Sequence, residues 1–156
     1  MSDQPVDVRQ CTPADLPLLQ AREVRPGSRF AERNLERAAS GDYFFVGAFS
    51  PDDVLGYVVL DCRPDADLRP EMQGLWVYPA HRRQGLGVEL TRFIEGIAAE
   101  QGFDSVLLGV DPDNPAAIPM YIGLDYTPTG DHRTVVDDEG AEQHEAIYRK
   151  SLRITR

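Results

Sequence analysis

The chain has 156 residues, 42% of them hydrophobic and 27% charged, which suits one domain (residues 1–156) that buries a core without disulfide or metal staples. With 16 Lys+Arg against 26 Asp+Glu its formal charge is −10, which argues against nucleic acid or an anionic membrane as its main partner. No apolar run approaches the ~20 residues that span a bilayer, and Met1 to Gln10 lack a signal peptide's basic start and apolar middle, so a cytoplasmic protein is expected.

In chain order, Val6 to Arg9 reads as a first strand. Thr12-Pro13-Ala14-Asp15 supplies an N-cap followed by proline, and Leu16, Leu18 and Leu19 open a helix. A second helix is expected over Arg29 to Ala39, ending at Ser40-Gly41. Tyr43 to Phe49 and Val54 to Asp61 are β-rich runs around Ser50-Pro51-Asp52-Asp53, a hairpin, and Arg63 to Pro70 is a polar loop. Glu71 to Tyr78 reads as the next strand, stopped by Pro79. From 85 to 101, Leu86, Leu90, Phe93, Ile94 and Ile97 fall on one helical face. Ser105 to Val110 is a short strand, Asn114-Pro115 opens another helix, and strand resumes at Tyr126. Asp137 to Gly140 turns the chain into a last strand over Glu145 to Ile154. The order β-α-α-β-β-β-α-β-α-β-β describes a mixed α/β domain.

The densest chemical signal runs from Trp76 to Gly87: strand, Pro79, then Arg82-Arg83-Gln84-Gly85-Leu86-Gly87 at a helix start. Backbone N–H groups at such a start lack intrahelical partners, and the helix dipole adds about half a positive charge, so the segment is an anion site. Gly85 and Gly87 carry no Cβ and let a phosphate approach, while Arg82 and Arg83 add charge. A Walker loop is excluded because it needs a lysine and this segment has none; Lys150 is the only one in the chain. The dinucleotide fingerprint fails because Leu90 stands where its third glycine belongs. Cys11 and Cys62 are too few for a metal cluster, and His81, His132 and His144 have no metal-ligand spacing, so no metal is expected.

Leu75-Trp76-Val77-Tyr78-Pro79-Ala80-His81-Arg82-Arg83-Gln84-Gly85-Leu86-Gly87 resembles motif A of the GNAT superfamily of N-acetyltransferases, whose signature is Arg/Gln-x-x-Gly-x-Gly/Ala. Asn114-Pro115-Ala116-Ala117-Ile118-Pro119-Met120-Tyr121-Ile122-Gly123-Leu124-Asp125-Tyr126 is similar to the family's second signature, Asn-x-x-Ala-x-x-Leu-Tyr-x-x-x-Gly-Phe. The likeness spans about residues 6 to 153. It implies a twisted mixed sheet of about six to seven strands with helices on both faces. The fourth and fifth strands would splay apart around the cosubstrate acetyl-CoA. By that resemblance the backbone around Leu75, Trp76 and Val77 pairs with the pantetheine arm, and the amides from Arg83 through Gln84, Gly85, Leu86 and Gly87 to Val88 hold the pyrophosphate. A neutral amine then attacks the thioester carbonyl directly.

The resemblance makes Tyr121 the general acid for the leaving thiolate; a half-buried core aromatic is the plainer alternative. Tyr121 follows Asn114 by seven residues, so a helix would put both on one face. Asn114 reads as an N-cap, as a hydrogen-bond partner of the pantetheine amide, or both. Glu71 stands at the interval before Arg82 at which histone-acetylating members carry their glutamate. It reads equally as general base and as a solvated strand-end carboxylate, with Asp61, Asp111 or solvent as alternatives. An extended strand would place Glu71, Gln73, Leu75 and Val77 on one face, with Trp76 opposite, in the core or on the acceptor's floor. Asp137, Asp138, Glu139, Glu142 and Glu145 cluster around a hairpin turn and read as a solvated loop or as a cation-attracting acidic rim beside the acceptor site. Two departures from the family pattern stand out: Asp125-Tyr126 replaces Gly-Phe, and Pro119 lies within the expected helix, which it either kinks or enters in the first turn.

The expected activity is acetyl transfer from acetyl-CoA to a primary amine on a small-molecule or amino-acid-like acceptor, in a ternary complex. Acetylation of a protein lysine or N-terminus, and a non-catalytic acetyl-CoA sensor, are the alternatives; a toxin that acetylates charged tRNA is disfavoured by the acidic charge. A homodimer is expected from family habit alone.

Overall fold

Tyr43 to Phe49 is buried at every residue, which requires cover on both faces of the sheet it joins. The computed structural model, which describes residues 5–23, 27–137 and 139–152, supplies that cover. Its elements keep the expected order: β1 (Asp7–Gln10), α1 (Leu16–Ala21), α2 (Phe30–Ala38), β2 (Tyr43–Phe49), β3 (Val54–Asp61), β4 (Glu71–Val77), α3 (Leu86–Glu100), β5 (Ser105–Val110), α4 (Ala117–Gly123), β6 (Thr127–Val136) and β7 (Glu142–Ser151). They form one seven-stranded sheet in the order β1-β2-β3-β4-β5-β7-β6. The expected end of the last strand at Ile154, and Asp138 of the acidic rim, lie outside the described residues.

One face of the sheet is covered by α3, which buries Leu86, Leu90, Ile94, Ile97 and Ala98 against Phe44, Val46, Val58 and Leu60; α4 packs on the same cluster. The opposite face is covered by α1 and α2, where Leu19 and Ala31 meet Phe45, Phe49 and Val59. Each large apolar side chain buried this way contributes about 1.5–3 kcal/mol. No helix among the described residues is long and apolar enough to cross a membrane.

Two irregularities shape the centre of the sheet. β4 and β5 are parallel and pair at a single register position, Glu71 opposite Leu107, where the Leu107 N–H donates to the Pro70 carbonyl at 3.1 Å. Beyond that point the strands diverge, and the β5-side edge of β4 makes no further strand pairing. The second irregularity is a bulge in β4. Tyr57 pairs with Trp76 but Val59 pairs with Gln73, so β4 carries an extra residue there, and Gly74 takes φ 61. Only glycine adopts that left-handed conformation without strain. The bulge reverses the alternation, which corrects the face expected from the sequence. Glu71 and Gln73 share a face with Trp76, through their partners Asp61, Val59 and Tyr57, whereas Leu75 and Val77 pack with the α3 cluster.

Candidate active site

The gap opened by the divergence of β4 and β5 is a cavity of about 630 Å³. One wall is the end of β4, with Leu75, Trp76 and Val77. A second is the loop into α3, with Arg82, Arg83, Gly85, Leu86 and Gly87; the third is Asn114, Met120 and Tyr121 around α4. Gln84 and Val88 are not in the lining and bear on the cavity only through their place in the backbone.

The loop has the form of an anion cradle. From Arg83 to Val88 no backbone N–H donates to a described partner; the first that does is Glu89, to the Gly85 carbonyl at 3.1 Å. Arg83 at φ 66 and Gly85 at φ 79 curl the chain into the N-terminus of α3. A Cβ added at Gly85 or Gly87 would meet nothing within 4 Å, so the space over these amides is open. The dipole of the 15-residue α3 points its positive end there. Arg82 is braced toward β4: its Nε donates to the Val77 carbonyl at 2.8 Å and its guanidinium lies 4.7 Å over the Trp76 ring.

On the opposite wall, Asn114 Oδ1 accepts the N–H groups of Ala116 at 3.0 Å and Ala117 at 3.1 Å. It thereby caps α4, and its Nδ2 donor has no partner among the described residues. Helix α4 begins at Ala117 and not at Asn114, so Pro119 falls in the first turn, where a missing N–H breaks no helical bond. Asn114 and Tyr121 therefore share the cavity, but not through one helical face as the spacing implied. Tyr121 is half-buried, and burial raises its hydroxyl above the usual tyrosine range, with the Glu145 charge adding to the effect.

Glu71 does not line this cavity. Its two oxygens accept from Arg133, at 2.7 Å from Nη2 and 3.3 Å from Nη1. The same guanidinium binds Asp67 at 3.0 Å and Glu145 at 2.9 Å. Gly109 of β5 makes room for this cluster, since a Cβ there would collide with the Glu145 carboxylate and with Arg133. Asp61 is bound twice by the Arg63 guanidinium, at 2.9 and 2.8 Å, and Asp111 accepts the Asp113 N–H at 2.9 Å. The composition gave no signal for Arg133, which is 62 residues from Glu71.

Trp76 is 43% exposed and not a core residue. It also lines a second cavity, with Phe30, Tyr57 and Tyr78, which local sequence patterns did not single out. His81 lines the first. His132 and His144, far apart in sequence, stack at 4.9 Å across the β6–β7 hairpin with ring nitrogens 3.0 Å apart. Cys11 and Cys62 are buried, which pushes their thiols up to about 12 and about 11.

A family model for the acetyltransferase (GNAT) family matches residues 10–126. No curated protein matches the chain significantly by sequence. Among solved structures, an N-acetyltransferase from Staphylococcus aureus superimposes with a TM-score of 0.73 at 16% identity, over 96% of this chain and 99% of that one. The yncA protein of Salmonella typhimurium, assigned as an acetyltransferase and solved with its cofactor acetyl-CoA, gives 0.72 at 20% identity, over 97% and 96%. A ribosomal-protein-alanine N-acetyltransferase from Brucella melitensis gives 0.71 at 21% identity, over 93% and 99%. These likenesses extend the family match to the fold of almost the whole chain.

Proposed function

Since the chain belongs to the GNAT acetyltransferase family, we propose that it transfers the acetyl group of acetyl-CoA to the neutral amine of a small-molecule or amino-acid-like acceptor. The observation that carries this reading is the run of unpartnered N–H groups from Arg83 to Val88, on a cavity also lined by Tyr121. Acetyl-CoA supplies an activated thioester and a good leaving group. The loop amides and the α3 dipole hold its pyrophosphate, and the edge of β4 from Leu75 to Val77, which pairs with no strand on the β5 side, takes the amides of the pantetheine arm. Asn114 adds its free Nδ2 donor.

Tyr121 gives its proton to the departing sulfur, a role that suits a hydroxyl kept protonated by burial. The acceptor's ammonium loses its proton to water at the open cavity mouth, because Glu71 is engaged on both oxygens by Arg133. The two cysteines are buried with raised thiols and line neither cavity, so attack is direct and passes through no acyl-enzyme.

The test is release of free coenzyme A thiol from acetyl-CoA against a panel of amines, amino acids and short peptides, with calorimetry of acetyl-CoA binding alongside. Amine-dependent release that collapses in Tyr121→Phe supports the proposal. Tight binding without release from any amine or peptide would replace it with a coenzyme sensor.

A further inference from the structure

We propose that the second cavity holds an aromatic group of the acceptor, so that the substrate is a primary amine carrying an aromatic ring. This rests on the transfer reading above and specifies its substrate class. The cavity measures about 690 Å³ and lies between β4 and the α1–α2 side of the sheet. Four rings line it in sequence: Phe30 is 5.1 Å from Tyr57, Tyr57 is 6.1 Å from Tyr78, and Tyr78 is 6.5 Å from Trp76, each centroid to centroid. Offset and edge-on rings at these separations accept a further ring in the same geometry.

Position and chemistry both favour this occupant. Trp76 lines the coenzyme cavity as well, so the two spaces adjoin at one side chain. Direct attack needs the amine nitrogen within about 3–3.5 Å of the thioester carbonyl, which leaves the body of the acceptor in the adjoining cavity. The bulge at Gly74 is what turns Trp76 onto this side, opposite Tyr57. Phe30 and Trp76 are 38% and 43% exposed, an arrangement that a water-filled mouth does not reward.

A polycation finds little here. Glu23 is the only carboxylate among the described residues that line the cavity, and its Oε1 already accepts the Ala31 N–H at 3.0 Å. The Arg22 guanidinium lies 5.0 Å over the Tyr78 ring and is paired with Asp53, so one face of that ring already carries a cation.

Trp76 is the only tryptophan in the chain, and its fluorescence reports occupancy independently of acetyl transfer. The experiment has two arms: titration of that fluorescence with 2-phenylethylamine in the absence of acetyl-CoA, and thiol release with 2-phenylethylamine, ethylamine and spermidine. The expected result is a saturable fluorescence change and a kcat/KM for 2-phenylethylamine about tenfold or more above the other two. Phe30→Ala should raise the KM for 2-phenylethylamine about tenfold and leave the calorimetric affinity for acetyl-CoA unchanged. Equal or better turnover of spermidine, or a Trp76 signal unmoved by millimolar 2-phenylethylamine while acetyl-CoA binds, overturns the inference and leaves the transfer reading standing. Absence of acetyl-CoA binding sinks the transfer reading, and the acceptor inference falls with it.

Discussion

The backbone N–H of Tyr126 donates to the carbonyl of Tyr121 at 3.0 Å, and their rings meet edge-on 6.4 Å apart. With the Asp125 N–H bound to the Ile122 carbonyl at 3.0 Å, these contacts make a Schellman ending to α4. Its left-handed residue is Asp125, at φ 73, where the family signature has glycine. Tyr126 is fully buried and its hydroxyl donates to Glu95 at 2.9 Å, so the proposed acid is anchored at its own carbonyl to the core.

Asp125 is therefore the position at which stability and the aim of Tyr121 are coupled. Asp125→Gly removes the left-handed strain and should raise stability by about 0.5–1 kcal/mol, read as a higher urea midpoint with unchanged slope. Asp125→Val should cost more than ~1 kcal/mol and lower kcat with little effect on acetyl-CoA affinity, because a β-branched residue resists that conformation.

Tyr121→Phe should lower kcat about 100-fold or more and leave acetyl-CoA binding intact, since only the proposed proton donor is lost. Burial raises the hydroxyl above its ordinary value near 10, so it stays protonated through neutral and mildly alkaline pH. The parent's rate should fall only at strongly alkaline pH. In the variant that limb should vanish, while the acid limb, which belongs to the acceptor's ammonium, stays in place. A pH profile of kcat for both proteins checks this.

The strand, turn and helix around the cradle were legible because their signals are local. Apolar spacing and flanking glycines put the long helix at 85 to 101, against Leu86–Glu100 observed. That Asp125 stands where the family pattern has glycine was also legible in the sequence, and glycine at a helix end marks a left-handed residue. The start of α4 was not, because Asn114 caps from three residues before the helix, in a turn that a proline signal does not distinguish from a first turn. The bulge at Gly74 was hidden because a lone glycine in a strand does not show which neighbour pairs with what; it emerges from the register of Tyr57 and Val59. The four-ring cavity draws Phe30, Tyr57, Trp76 and Tyr78 from separate elements and has no local pattern to read.

Glu71→Gln separates a general base from a buried anchor. With both oxygens held by Arg133, the side chain is expected to act as an anchor. The variant should keep the acid limb of kcat/KM where the parent has it and lose stability, by about 1–3 kcal/mol, as one partner of a largely buried charged network is neutralised. A displaced or abolished acid limb with unchanged stability would assign the proton to Glu71.

Asp15 should set part of the acid sensitivity of the fold. Hydrogen bonds from the Arg9 guanidinium, at 2.7 and 2.8 Å, hold its carboxyl below the usual range, with the Thr12 N–H at 2.7 Å assisting. The folded chain thus releases this proton more readily than the unfolded chain. The resulting stabilisation is present above about pH 4 and is lost as the pH falls further, through the folded value. Urea midpoints at pH 6 and pH 3 should differ less in Asp15→Asn than in the parent.

The near-absence of lysine has a practical consequence if the proposed transfer to amines holds. The only ε-amine in these 156 residues is that of Lys150, and it is held at 2.9 Å from Glu95, which also receives the Tyr126 hydroxyl. An ammonium gripped by a buried carboxylate is a poor nucleophile, because it must surrender both its proton and its partner before it can react. Incubated alone with acetyl-CoA, the protein should therefore leave this lysine unmodified, read by mass spectrometry of the peptide that carries it.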